Sequence, residues 1–465
     1  MIFLQTSKYR AADGEKQPVQ EQQQQLLVPD ADAVPEKEAQ ASVDTVSASD
    51  IVQQIPDIDE STNSVPVIRV LLTDNGKDGY LQDSVTVSSN SAICLEGSDL
   101  KIPAYSTETI TVSDGRFMDG RLKLIPEDPA AGITVTSFQK AQGAPTYEGK
   151  LEIYHTEQGI YLVNEVDLET YLKYVVPSEM PASYAGEALK AQAVCARTYA
   201  CRQMLDSALE DYHAHVDDSV SFQVYNNIAR QEPADQAVDD TAGIIMTCNG
   251  EPITAYFFST SCGYTSTSEV WSGGESEDYL KSVYLGSDDP VDVQSEEVFA
   301  SFIQSRDEED LEAEDGWYRW CVTLPAEVLN QRLERYGIGM LQSLQVLERS
   351  SGGAVTELQV VGSLDSVTLE NEYAIREFLS VEGIAVTKND GTTTDTMYLL
   401  PSACFIWEPV YEDGCLSGIQ ITGGGYGHGV GMSQNGAAHL AEQGMAWQEI
   451  LRYFYDDIQL ETFQR

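Results

Sequence analysis

Residues 187–201 read Glu187-Ala188-Leu189-Lys190-Ala191-Gln192-Ala193-Val194-Cys195-Ala196-Arg197-Thr198-Tyr199-Ala200-Cys201. A helix of this composition is small and apolar nearly all round, so most of its faces have to be buried. A chain that contains it must build a domain around it. The helix is expected over roughly 185–205. Lys190 and Arg197 stand seven residues apart on it, on one face and about 10 Å apart along the axis. Either they hold a carboxylate or sugar oxygens, or they pair with structural acids and snorkel to the surface.

The chain has 465 residues, room for roughly two to three domains. Residues 1–64 carry a glutamine run, 12 acidic and 4 basic side chains and little patterning. Such a segment buries too little apolar surface to offset its chain entropy and reads as a disordered acidic, Gln-rich linker. Residues 65–150 read as a small β-rich module, with strands near 67–72, 84–87, 110–112 and 122–125 between Asp/Gly/Asn turns. From 151 to 284 the texture becomes that of the opening portion of a main domain. It starts with a hairpin through Glu157-Gln158-Gly159, a short helix at 168–172 and an irregular turn fixed by Pro177 and Pro181. Residues 285–395 read as an inserted acidic lobe, whose run at 307–315 is expected on a solvated surface. Residues 396–465 close the main domain with a Gly-rich segment and an amphipathic helix near 446–455. The fold class is α+β, with no internal repeat.

Charge narrows the partners. Lys and Arg total 27 against 75 Asp and Glu, a net of −48. A surface that negative repels phosphate backbones and anionic headgroups, which argues against nucleic acid and acidic membrane. No run approaches the ~18 apolar residues that span a bilayer. The eight cysteines form no Cys-x-x-Cys pair. Cys195 and Cys201 point in different directions on one helix, and Cys404 and Cys415, flanking a hairpin, are the best disulfide candidates.

Four further segments carry chemistry. Glu179 stands between Pro177 and Pro181, beside Val175, Val176 and Met180. An apolar setting raises a glutamate's pKa, and an acid kept protonated near neutrality can act as a general acid. The plainer alternative is a turn glutamate that caps the next helix. Gln223-Val224-Tyr225 and Ser259-Thr260-Ser261 lie where strand ends run into polar loops, and rings and hydroxyls there suit a carbohydrate groove as well as a strand edge. Residues 423–437 hold seven glycines, with His428 among them and Gln434 following. This is not a dinucleotide fingerprint, because Val430 stands where the third glycine belongs, and no Gly-Lys-Ser/Thr end makes it a P-loop.

In this order the segments resemble the stage II sporulation protein D family, which includes the amidase enhancers of the LytB type. The resemblance rests on Tyr171-Leu172 through Pro177-Ser178-Glu179-Met180-Pro181, on 187–199, on Gln223-Val224-Tyr225, on Ser259-Thr260-Ser261 with Gly263, and on 425–437. It covers roughly 150–280 and 396–440. It implies a catalytic domain of that family, with a buried Ala-rich helix, acting as a peptidoglycan lytic transglycosylase. Such an enzyme cleaves between N-acetylmuramic acid and N-acetylglucosamine in strands stripped of stem peptides and leaves 1,6-anhydro ends. One carboxyl suffices: it protonates the leaving oxygen, then takes the proton of the sugar's own C6 hydroxyl. Water-using glycosidases need two carboxyls, but here the nucleophile is intramolecular. The resemblance assigns Glu179 as the acid. It assigns Lys190, Arg197, Gln223, Tyr225, Ser259, Ser261, His428 and Gln434 to substrate binding.

Some members bind zinc just before the Gln-x-Tyr motif, but here Asp217, Ser221 and Phe222 stand there, so no metal and no other cofactor is expected. Phe258 replaces a histidine common before Ser-Thr-Ser, which bears on affinity or rate. The expected partners are glycan strands and an amidase, outside the cytoplasmic membrane, with an anchor at or upstream of residues 1–10 and 11–64 as spacer. A second reading is a module that binds peptidoglycan without cutting and stimulates a partner amidase. A third, a metallohydrolase using His213 and His215, predicts chelator sensitivity.

Overall fold

A computed structural model describes residues 66–74, 79–206, 208–271, 277–305 and 307–462. The linker expected over 1–64 lies outside the described residues. The fold mixes helix and strand. Its first layer is a seven-stranded sheet in the order Val216–Asp217, Val67–Leu71, Gly159–Asp167, Lys150–Thr156, Arg121–Pro126, Ile93–Leu95 and Lys101–Ile102. A four-stranded sheet of Thr107–Thr111, Ser84–Ser88, Ile133–Val135 and Thr146–Tyr147 shares its core. The boundary expected at residue 150 therefore does not separate one core from another. Val67–Leu71 pairs with Gly159–Asp167, and Arg121–Pro126 with Lys150–Thr156. Strand alternation marks each strand, but carries no information about its partner.

Two helices follow the sheet. α1 (Leu168–Glu179) is capped by Asp167, whose side chain accepts from the Thr170 N–H at 2.9 Å. The sequence reading stops it near 172, but it runs through Pro177 to Glu179. The missing proline N–H costs one helical bond, and tertiary bonds hold the last turn. Ser178 Oγ accepts from the Asn227 and Ile228 N–H groups, both at 3.1 Å, and Met180 N–H donates to the Val176 carbonyl. α2 (Gly186–Asp206) is the Ala-rich helix. Leu189, Ala193, Ala196 and Ala200 face the sheet core, while Ala191, Val194 and Cys195 face a second core. Its lack of a polar face follows from this position between two cores, and its small side chains let both approach.

α3 (Glu232–Asp240) packs on α2. The second core also holds α4 (Glu296–Gln304), α7 (Gln434–Glu442) and α8 (Trp447–Phe454). The final strand, Gln459–Thr462, pairs antiparallel with Ile244–Cys248. The lobe has a core of its own around α5 (Ala326–Leu333) and α6 (Glu372–Phe378). Its main sheet runs Thr393–Thr394, Val386–Lys388, Trp320–Pro325, Cys415–Gly423, Phe405–Glu412. The lobe thus extends past the expected limit at 395, because the hairpin 405–423 completes its sheet.

That hairpin also corrects the disulfide expectation. All eight cysteines are free thiols. Cys415 sits at the exposed turn opposite Glu412, whereas Cys404 precedes Phe405 at the buried far end, roughly 25 Å away at 3.3 Å per residue. Cys404 instead lies against Cys262, both thiols reaching the Gly352 carbonyl at 4.0 and 3.8 Å. The acidic run 307–315 is not wholly solvated either, since Glu312 is buried at 1% exposure. Among the described residues no helix is long and apolar enough to cross a membrane.

Candidate active site

Glu179 ends α1 on the wall of a cleft of about 550 Å³. The loop after Val216–Asp217 crosses beneath it, and the Val224 N–H donates to Glu179 Oε1 at 2.5 Å. Removal of water pushes the carboxyl up to about 7, and the Val224 bond opposes that rise. The carboxyl also stands at the negative end of a helix dipole, which disfavours its charged form. A carboxyl raised this far keeps a large protonated fraction near neutrality.

The Gln223-Val224-Tyr225 block serves this carboxyl through its backbone. Gln223 is buried, accepting from Tyr171 Oη and donating to the Ala196 carbonyl, both at 3.1 Å. Tyr225 is fully buried and donates to Asn164 Oδ1 at 2.8 Å. Neither side chain lines the cleft. They fix the turn that aims the Val224 N–H, so their expected place in the groove is corrected to a place behind its floor.

Lys190 and Arg197 are corrected in the same way. Arg197 is 0% exposed and clamps Glu169 through Nε and Nη2 at 2.9 and 2.7 Å, with further bonds to the Ile244 and Val238 carbonyls. Lys190 pairs with Glu187 at 3.0 Å and Asp240 at 3.1 Å. Both are away from the cleft lining, because the helix face that carries them is turned toward α1 and α3.

The Ser-Thr-Ser block and the Gly-rich segment form one wall. Phe257–Phe258 pairs parallel with Met432–Ser433, Thr260 bridges Tyr426, and Ser266 bridges Val430. Gly431 makes this approach possible: it has φ +79°, and a Cβ there would meet the Tyr256 carbonyl at 2.0 Å. Gly431→Ala should cost roughly 1–2 kcal/mol for the left-handed backbone alone, and more for the clash. A lowered melting temperature, with activity falling in parallel, is the expected result.

Ser259, His428 and Gln434 line the cleft. Gln434 Nε2 donates to the Glu179 carbonyl at 3.1 Å, tying the start of α7 to the end of α1. His428 Nδ1 accepts from the Val430 N–H at 3.1 Å, and burial pushes its pKa down to about 4. It is a neutral, fixed ring among Tyr256, Phe258 and Trp271. Phe258 packs its ring 5.8 Å from His428. Ser261 lies behind the wall. It donates to buried Glu312, which also accepts from Ser433 Oγ at 2.5 Å. Burial and the neighbouring Asp315 push Glu312 up to about 7 against those bonds. The sequence offered no signal for Glu312 beyond one acid in an acidic run.

The lobe also lines the cleft. Glu372, Tyr373 and Arg376 of α6, with Met397 and Tyr398, face the same cleft as Glu179. None of them stands out in the sequence. Aromatic rings, hydroxyls and one weakly acidic carboxyl together suit a carbohydrate chain and proton transfer to a glycosidic oxygen. His213 stacks on Tyr154, and His215 Nδ1 accepts from the Arg69 N–H at 3.2 Å. Among the described residues no three His, Cys, Asp or Glu side chains gather as a metal would require.

Comparison with known proteins places these features. The family model of the stage II sporulation protein matches residues 156–248, and the model of a domain of unknown function, DUF8618, matches 265–431. The chain is 31% identical over 344 residues to stage II sporulation protein D of Bacillus subtilis (strain 168), covering 70% of this chain and 84% of that protein. Identity to stage II sporulation protein D of Bacillus amyloliquefaciens is 30% over 346 residues, again 70% and 84%. To the amidase enhancer of Bacillus subtilis (strain 168) it is 30% over 302 residues, which is 63% of this chain and 40% of that protein.

Proposed function

We propose a role in cell-wall glycan cleavage from one premise: this chain belongs to the stage II sporulation protein D family. The reaction is that of a lytic transglycosylase on peptidoglycan strands freed of stem peptides. Glu179 protonates the oxygen that joins N-acetylmuramic acid to the next sugar. The C–O bond breaks, and the C6 hydroxyl attacks C1 while Glu179 takes its proton. The anhydro ring closes and the carboxyl regains its starting state, so no second carboxyl and no water are consumed. The substrate places this activity outside the cytoplasmic membrane, in sporulation or in wall remodelling. A relative named amidase enhancer supports an amidase as partner.

The observation that carries this reading is a carboxyl raised to about 7 in an aromatic cleft, fixed by a backbone N–H. The test is digestion of peptide-free glycan strands followed by mass spectrometry of the ends. Anhydro ends are expected. Tight binding with intact strands would instead favour the module that binds glycan and stimulates an amidase without cutting.

The pH dependence follows from the same carboxyl. The free enzyme must hold the acid protonated, so kcat/KM should be flat below about pH 7 and fall up to about tenfold per unit above it. A rate that instead rises through pH 7 would mean that the carboxylate acts first as a base.

A further inference from the structure

The lobe residues have no part in the proposed proton transfer, yet they line the same cleft as Glu179. We infer that α6 and the segment at 396–399 form a second sugar subsite, which binds an uncharged pyranose of the strand next to the unit cleaved at Glu179. This rests on the proposed glycan reading and gives the lobe a role in substrate binding.

The wall is built to hold its groups still. Asn371 has φ +68° and its side chain accepts from the Ala374 N–H at 2.9 Å, which starts the helix just before Tyr373. Arg376 is 9% exposed; its Nε donates to the Leu400 carbonyl and its Nη1 to Glu372 Oε2, each at 2.9 Å. The Tyr398 carbonyl accepts from the Val381 N–H at 2.8 Å and from Ser380 Oγ at 2.6 Å. A guanidinium and a carboxylate fixed side by side offer donors and acceptors at one spot with no net charge, which matches hydroxyl and acetamido groups better than an anion. Tyr398 is 44% exposed and lines the same cleft as that pair. An exposed ring and a fixed polar pair in one cleft supply what a pyranose needs: a face to stack on and groups to bond the edge.

The test uses the full chain with Glu179→Gln, so that binding is read without cleavage. A peptide-free peptidoglycan tetrasaccharide is titrated calorimetrically into this parent and into the same parent carrying Tyr398→Ala or Tyr373→Ala. Each tyrosine change should weaken binding by about 3- to 10-fold. With Glu179 restored, each should raise KM and leave kcat within about twofold. Tyr398 is 44% exposed, so its removal disturbs the fold less than loss of a buried ring would. Unchanged affinity in both variants would overturn the subsite and leave the role of Glu179 standing. If neither the Glu179→Gln parent nor the native chain binds the tetrasaccharide, the glycan reading falls, and the subsite with it.

Discussion

Glu179→Gln is expected to reduce formation of anhydro ends by at least about 10²–10⁴-fold, the usual contribution of a general acid. Glutamine keeps the shape of the side chain and can still accept from the Val224 N–H. It has no acidic proton for the leaving oxygen and cannot take one from the C6 hydroxyl, so both halves of the reaction lose their carrier. Binding of peptide-free strands should remain close to that of the native protein. Retained cleavage in Glu179→Gln would remove this carboxyl from the mechanism. Loss of binding together with cleavage would mean that the substitution had damaged the cleft rather than the chemistry.

The second large effect falls on stability. Arg197→Ala should destabilise the fold by about 3–5 kcal/mol, as expected when one member of a buried ion pair is deleted. Glu169 would keep its place on α1 without its bidentate partner, and the carbonyls of Val238 and Ile244 would each lose a donor. In a chain of this size the melting temperature should drop by about 3–6 °C. Lysine should not rescue it, because an ammonium cannot form the two-point contact. Lys190→Ala, at a partly exposed pair, should cost no more than about 1 kcal/mol. Scanning calorimetry separates the two. An unchanged melting temperature in Arg197→Ala with weakened glycan binding would restore the role that the family resemblance assigned to it.

Much of this site was legible because it depends on composition. The Ala-rich helix could be read from its lack of a polar face, and Glu179 from its setting among apolar residues and prolines. The glycines of 423–431 announced a close backbone approach, which the pairing of Met432–Ser433 with Phe257–Phe258 provides. What could not be read was direction. Gln223, Tyr225 and Arg197 stand in motifs that bear on the site, but their side chains point into the core and act through the backbone or through packing. Polar residue types in a motif look alike whether they touch a ligand or hold the group that does. Nor does a sequence say what crosses a cleft: Tyr373, Arg376 and Tyr398 are about 200 residues from Glu179, in a stretch without motifs. Glu312 shows the same limit, since only the fold reveals that one acid in a run turns inward.

The bond from Gln434 to the Glu179 carbonyl spans 255 positions of the chain, and Gln459–Thr462 pairs antiparallel with Ile244–Cys248. Contacts of such separation form late and slowly. The Glu179 carbonyl therefore gains its Gln434 partner only after the segments between them have folded. A fragment that stops short of Gln434 would carry Glu179 without the bond that ties the end of α1 to the start of α7.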